Sequence, residues 1–149
     1  MKQNYHASVS ANIAPSDAVK KINRLSAWWG KDFEGTAEKV GDVFGIRFGE
    51  TWVRFKVVEI VPNKKLVWQV MDCYLPWLAD KTEWRNTRLV WELSNNNGST
   101  QIDFTHVGLV PELECYDNCR EGWNFYINES LRKWLAENHG VPNGRMSCR

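Results

Sequence analysis

The stretch whose reading decides the fold is DNCREGWNFYINESLRKWLAENHG, residues 117–140. Trp123, Ile127, Leu131 and Trp134 recur in it at spacings of three and four, flanked by Tyr126, Ser130 and Leu135. That is the helical period, so the segment predicts one long helix with a single apolar stripe. Asp117 or Asn118 is placed to cap its start, Glu121 lies in its first turn, and Gly140 comes after it as a left-handed stop. Glu129 and Lys133, four apart, are expected to pair on its solvent face. Two tryptophans on one stripe need a wide, curved apolar surface to receive them. The rest of the chain has to supply it.

Upstream, the pattern is almost entirely strand and turn. Tyr5–Ile13 alternates with period two, as a half-buried strand does. Ala14-Pro15-Ser16-Asp17 breaks it, with Ser16 placed to cap a short helix over 17–22 and a second short helix over 24–29 ending at Gly30. Strands are then expected over 33–40, 43–48, 52–61 and 65–72, separated by Gly41-Asp42, Gly49-Glu50 and Pro62-Asn63-Lys64. The polar-aromatic segment 72–87 is longer than a hairpin needs, and long loops in compact domains are often functional. Strands resume over 89–94 and 101–107 around Asn95-Asn96-Asn97-Gly98, a strong hairpin signal. Turns this short allow antiparallel neighbours but no parallel crossovers. The expected fold is α+β: a bent antiparallel sheet of six to seven strands wrapped around the long C-terminal helix, with two short helices after the first strand.

Composition narrows the function. The 149 residues suit one domain spanning 1–149, with 141–149 as a flexible tail. A net charge of +1, without basic runs interleaved with aromatics, argues against nucleic acid. No apolar run approaches a membrane span and residues 1–12 carry no signal-peptide pattern, so a cytoplasmic protein is expected. In that setting Cys73, Cys115, Cys119 and Cys148 are expected reduced, and the Cys115–Cys119 spacing does not suit a zinc knuckle. No cofactor or metal is expected. Nucleophile elbows and glycine-rich phosphate loops are missing, so an enzyme is not expected either. The unusual quantity is nine tryptophans with six phenylalanines and four tyrosines. They make either a large aromatic core or an aromatic-lined cavity.

The order of elements resembles the START/SRPBCC superfamily and its helix-grip fold, the birch-pollen-allergen architecture. More narrowly, the chain resembles the family of the activator of the heat-shock-ninety chaperone ATPase, the AHSA-type domain. The residues that carry this are Ala14-Pro15 opening a helix, Trp28-Trp29, Val57-Val58-Glu59-Ile60 with Leu66-Val67-Trp68, and Glu83-Trp84 ahead of 87–93. Thr105-His106-Val107-Gly108-Leu109 and Gly122-Trp123 complete the set, so that the similarity runs over about 5–140. The eukaryotic activators carry an additional N-terminal domain, for which this chain is not expected to have room. The wider superfamily implies a lipid-, polyketide- or flavonoid-like molecule held between sheet and helix. The narrower family implies a co-chaperone-like protein partner as the alternative, and a cyclase-like or hydrolase-like enzyme is the third.

If a cavity exists, its wall is expected from Phe44, Ile46, Phe48, Trp68, Val70, Leu89, Trp91, Phe104 and His106 on the sheet. Trp123, Tyr126, Ile127 and Leu131 would face them from the helix, Trp28 from the short helices, and Trp84 from the long loop. The alternative is that these side chains close on one another. His106 is either a group that orients a ligand or a core or rim histidine bonded to a backbone group, and Trp84 either a lid or a plug. A monomer or weak dimer is expected.

Overall fold

The protein, described by a computed structural model over residues 4–143 (the side chain of Asn96 excepted), contains seven strands. They are β1 (Tyr5–Ala11), β2 (Asp32–Gly35), β3 (Val43–Phe48), β4 (Thr51–Val61), β5 (Lys65–Tyr74), β6 (Arg88–Asn96) and β7 (Ser99–Val107). All pair antiparallel in one sheet of order β1-β7-β6-β5-β4-β3-β2. Two short helices, α1 (Pro15–Asn23) and α2 (Leu25–Trp28), come after β1. The long C-terminal helix runs from α3 (Tyr116–Phe125) through a π-helical segment, Tyr126–Leu131, into α4 (Arg132–Glu137). Cys148 and the end of the expected tail lie outside the described residues. No helix among the described residues is long and apolar enough to cross a membrane.

Local chemistry explains most boundaries. Pro15 occupies the first helical position of α1, where its missing N–H is no loss, so the helix starts two residues before the expected one and Ser16 is not its cap. The expected strand over 33–40 stops at Gly35, whose φ of +92° turns the chain away. Beyond Gly35 the chain forms a loop gathered on the Asp42 carboxylate, which accepts from Thr36 Oγ1 at 2.7 Å and from the Glu38 and Lys39 amides at 3.0 Å. Asn97 and Gly98, at φ 54° and 88°, form the two-residue turn between β6 and β7.

The sheet bends through two bulges. Val57 pairs with Trp68 and Glu59 with Val67, leaving Val58 extra on β4; Phe55 pairs with Val70 and Arg54 with Asp72, leaving Met71 extra on β5. Each extra residue shifts the alternation by one, so Cys73 turns inward beyond Met71 and Ile60 packs on the core beyond Val58.

The end of the long helix differs from expectation. The left-handed residue is Asn138, at φ 57° and ψ 30°, not Gly140. Gly140 is glycine because a Cβ there would lie 2.2 Å from the Ala27 carbonyl oxygen. No side chain caps the helix start, where Cys115 precedes the first turn. Glu129 and Lys133, expected to pair, form no ion pair; Glu129 lies in the π-helical segment and Lys133 beyond it in α4. The first residues of the expected tail are pinned instead: the Val141 amide donates to Ser130 Oγ at 2.8 Å and the Asn143 amide to the Trp29 carbonyl at 2.9 Å.

Candidate functional site

The concave face of the sheet and the long helix meet over a continuous aromatic interior. Every residue expected to line a cavity is buried there except Phe48, which is partly exposed. They are brought together by contact with one another. Seven rings form a closed circuit, Trp29–Phe55–Phe44–Trp68–Trp91–Phe104–Trp123 and back to Trp29. Neighbouring centroids in it are 4.6 to 5.8 Å apart. Trp28 stacks on Trp29 at 5.8 Å and meets Trp91 edge-on at the same distance. Each such pair adds about 0.5–1.5 kcal/mol to the area it buries. Between Trp29, Trp84, Cys119, Gly122, Trp123 and Tyr126 only about 10 Å³ remains. That is roughly room for one water, against the several hundred Å³ of a ligand pocket.

Phe55 stands in this wall without being among its expected members, because the sequence of β4 mixes both faces. The bulge at Val58 is the reason, and the strict alternation Val53, Phe55, Val57 before it is the signal that marks the inward face. Of the expected helix stripe, Trp123, Ile127 and Leu131 are buried, as is Leu135 from its flank, whereas Trp134 departs from expectation. Trp134 is only partly buried and clamps α1: its Nε1 donates to the Lys21 carbonyl at 3.0 Å, and Lys21 Nζ sits 4.1 Å above its ring.

His106 is fully buried at one end of this interior. Trp123 Nε1 donates to its Nδ1 at 3.1 Å, so the proton resides on Nε2 and is donated to Thr87 Oγ1 at 2.9 Å. Thr87 passes its own hydroxyl proton to the Trp84 carbonyl at 2.6 Å. Burial lowers the imidazole pKa from 6.5 to about 3, so the ring is neutral. Both nitrogens of this buried ring are bonded to side chains, Trp123 and Thr87, and not to a backbone group as expected. Trp84 lies over it, edge-on at 4.6 Å, and stacks on Trp123 at 5.9 Å and 13°. The flanking residues hold the long loop down: Glu83 accepts from the Cys115 amide at 3.2 Å and Arg85 pairs with Asp72 at 2.7 Å. Three indole N–H groups, on Trp68, Trp84 and Trp91, are buried without an acceptor among the described residues.

Cys73, Cys115 and Cys119 are buried and form no disulfide among the described residues, where no group of three side chains that could hold a metal ion occurs. Burial pushes the Cys73 thiol up to about 11.

The opposite, convex face is chemically different. Its cross-strand rows place Arg47 beside Trp52 and Tyr74, then Gly45 beside Arg54 and Asp72, then Lys56 beside Gln69 and Arg88. The Arg54 guanidinium lies 5.6 Å from the Trp52 ring centroid. Missing a side chain, Gly45 leaves a hollow of about 210 Å³ among Asp32, Glu34, Arg47, Trp52 and Arg54. Tyr74 and the bulged Met71 are exposed near it.

A bent antiparallel sheet gripping one long helix, with two short helices after the first strand, defines the START/SRPBCC class and its helix-grip fold. Within it, a family model for Activator of Hsp90 ATPase homolog 1-like protein matches residues 17–136. The chain belongs to that family. It is similar to the solution structure of the Aha1 dimer from Colwellia psychrerythraea, at 22% identity and TM-score 0.76, over 93% of this chain and 99% of that one. DynU16, from the dynemicin biosynthetic locus, matches at 13% identity and TM-score 0.71, over 92% of this chain and 48% of its own. CalU16 from Micromonospora echinospora matches at 11% identity and TM-score 0.63, over 85% of this chain and 73% of its own. At these identities the structures show a shared fold. No curated protein matches the chain in sequence.

Proposed function

We propose that this chain is a co-chaperone-like protein-binding module that presents the convex face of its sheet to a partner. The observation that carries the reading is the aromatic circuit that closes between sheet and helix, with about 10 Å³ left beside Trp29, Trp84 and Trp123, so that recognition falls to the surface. The convex face supplies Arg47, Trp52, Arg54, Met71 and Tyr74, the residue types that anchor protein interfaces. Arg85 neutralises Asp72, and Arg47, Arg54, Lys56 and Arg88 outnumber Asp32 and Glu34 beside them, so this part of the face keeps a cationic excess that suits an acidic partner surface. Family membership makes a chaperone ATPase the first partner to test. The reading assigns no catalysis, and the reduced thiols suit a cytoplasmic setting. Adding a purified Hsp90-type chaperone is expected to raise its ATP hydrolysis and to shift the amides of Trp52, Arg54 and Tyr74. Trp52→Ala with Arg54→Glu is expected to weaken binding by about tenfold or more. The absence of both stimulation and a shift on that face would sink the reading.

A second reading is favoured by one observation, the orphaned indole of Trp84 beside the residual space. A buried donor left unpaired costs about 1–3 kcal/mol, which a ligand carbonyl would recover. In this reading a lipid-, polyketide- or flavonoid-like molecule enters by displacing Trp84 from Trp123, next to the π-helical segment, with His106 and Tyr126 at the end of its path. Tryptophan emission that saturates with a flavonoid or fatty acid, and loses the response in Trp84→Phe, would move this reading ahead of the first.

A further inference from the structure

One opening on the molecule gathers polar side chains that the fold does not use. It is a cleft of about 430 Å³ between the end of α1, the start of α2, and β2 with its succeeding loop. Lys20, Asn23, Arg24 and Ser26 line it from the helices, and Phe33 and Glu38 from the strand side. The contrast with Lys21 is informative. Lys21 is spent on structure, donating to the Trp134 carbonyl at 3.0 Å and lying over the Trp134 ring. Among the described residues, the Lys20, Arg24 and Ser26 side chains make no ion pair or hydrogen bond. Asn23 Oδ1 is buried in the cleft wall without a donor. The half-buried Phe33 ring, backed by Phe44 at 6.0 Å, offers an apolar surface on the facing side.

We propose that this cleft binds a small organic acid: an aromatic or short apolar body bearing one carboxylate and a hydroxyl group. Two cations against the Glu38 carboxylate leave a net +1 in the cleft, which matches one negative charge. The guanidinium fork of Arg24 and the ammonium of Lys20 receive the carboxylate, the former in two-point fashion. Asn23 Oδ1 is closed to solvent in the empty cleft, and a turn of the Asn23 side chain presents it to the ligand hydroxyl, pairing a buried acceptor that otherwise has no donor. The apolar body covers Phe33. A volume near 430 Å³ lies within the range of small-molecule sites. The site lies apart from both the aromatic interior and the convex face, so its occupancy is read independently of either functional reading.

The test is an amide-shift titration of the full chain with 4-hydroxybenzoate, alongside 4-hydroxybenzyl alcohol and benzoate. The acid is expected to give saturating shifts at Asn23, Arg24, Ser26 and Gly35. The neutral alcohol is expected to bind at least about tenfold more weakly, and benzoate, lacking the hydroxyl, a few-fold more weakly. The double variant Lys20→Gln, Arg24→Gln, both exposed, is expected to lose about tenfold in affinity with an unchanged melting temperature. Equal binding of acid and alcohol, an unaffected double variant, or no saturation by about 20 mM acid would each overturn the proposal. So would shifts confined to Trp84 and Trp123, which would assign the ligand to the interior.

Discussion

The interior and the α1–β2 cleft lie on opposite sides of the same short helices and obey opposite rules. In the interior, Trp28 and Trp29 meet rings on every side, their space is used up, and the polar atoms of His106 and Thr87 are mutually bonded. In the cleft, Lys20, Asn23 and Arg24 stand around open space with their side chains unpaired. A region whose rings fill one another's space is held by packing and resists change, even with the indole N–H groups of Trp68, Trp84 and Trp91 left without an acceptor. One whose groups are unsatisfied can change without harming the fold. The two should therefore respond very differently to mutation.

The largest effect is expected from Trp123→Ala. It removes the ring that closes the aromatic circuit and the donor to His106 Nδ1. A loss of about 3–5 kcal/mol is expected in denaturant unfolding, with Trp123→Phe losing less. The Ala variant should also admit indole, reporting the room that the tryptophan occupies. A loss below about 1 kcal/mol would mean that the interior is loosely packed and the comparison wrong.

Next in size is acid sensitivity. The folded pKa of His106 lies near 3 and its ordinary value is 6.5, so the unfolded chain binds a proton that the folded one refuses. Stability is thus complete above about pH 6.5 and lost as pH falls towards 3, at up to about 1.4 kcal/mol per pH unit. His106→Gln should flatten that slope while lowering stability at neutral pH. An unchanged slope in the variant would show that another group sets the acid response.

Smaller again is Ser130→Ala. Ser130 is buried within the long helix, donates to the Trp28 carbonyl at 2.6 Å and accepts from the Val141 amide at 2.8 Å. Removing its hydroxyl takes a partner from the buried Trp28 carbonyl and from the partly buried Val141 amide, at a cost of about 1–3 kcal/mol. The Val141 amide should then exchange with solvent faster than the helix does; equal protection would count against the tie.

Particular residues show how much of this is legible in sequence. The strand alternations and the stripe Trp123, Ile127, Leu131 are periodic, and periodicity reports which face is inward whatever lies opposite. That brings the fold and nearly the whole aromatic wall into view. It cannot say whether the wall encloses a space, because cavity volume depends on sheet curvature. That curvature comes from single extra residues, Val58 and Met71, which look like ordinary strand positions. The π-helical segment has no distinct residue signature in the sequence, which reads as one continuous helix. Gly140 suggests freedom of φ in the sequence, whereas its need is for space beside Ala27. The cleft is invisible for another reason. Lys20 and Arg24 read as the solvent face of a short helix, and only the position of β2 reveals that they share an enclosure with Phe33.

The smallest stability effect belongs to Asp42, which sharpens the comparison from the cleft side. Its carboxylate gathers the loop that carries Glu38, and the Thr36 hydroxyl, helped by the amide of Lys39, holds its pKa below the ordinary carboxylate range. A group depressed in this way stabilises the loop at neutral pH and loses that contribution as pH falls through and below that range. Because Asp42 is solvent-exposed, screening keeps the global effect small, and Asp42→Asn should barely move the melting temperature. Locally the change should be plain: faster exchange of the Glu38 and Lys39 amides, and a few-fold weaker response to 4-hydroxybenzoate. The rings of Trp84 and Trp123 should register nothing. If Asp42→Asn instead lowers stability as much as Ser130→Ala, the loop belongs to the packed half of the molecule. The cleft would then be part of the core's edge rather than a separate, adaptable site.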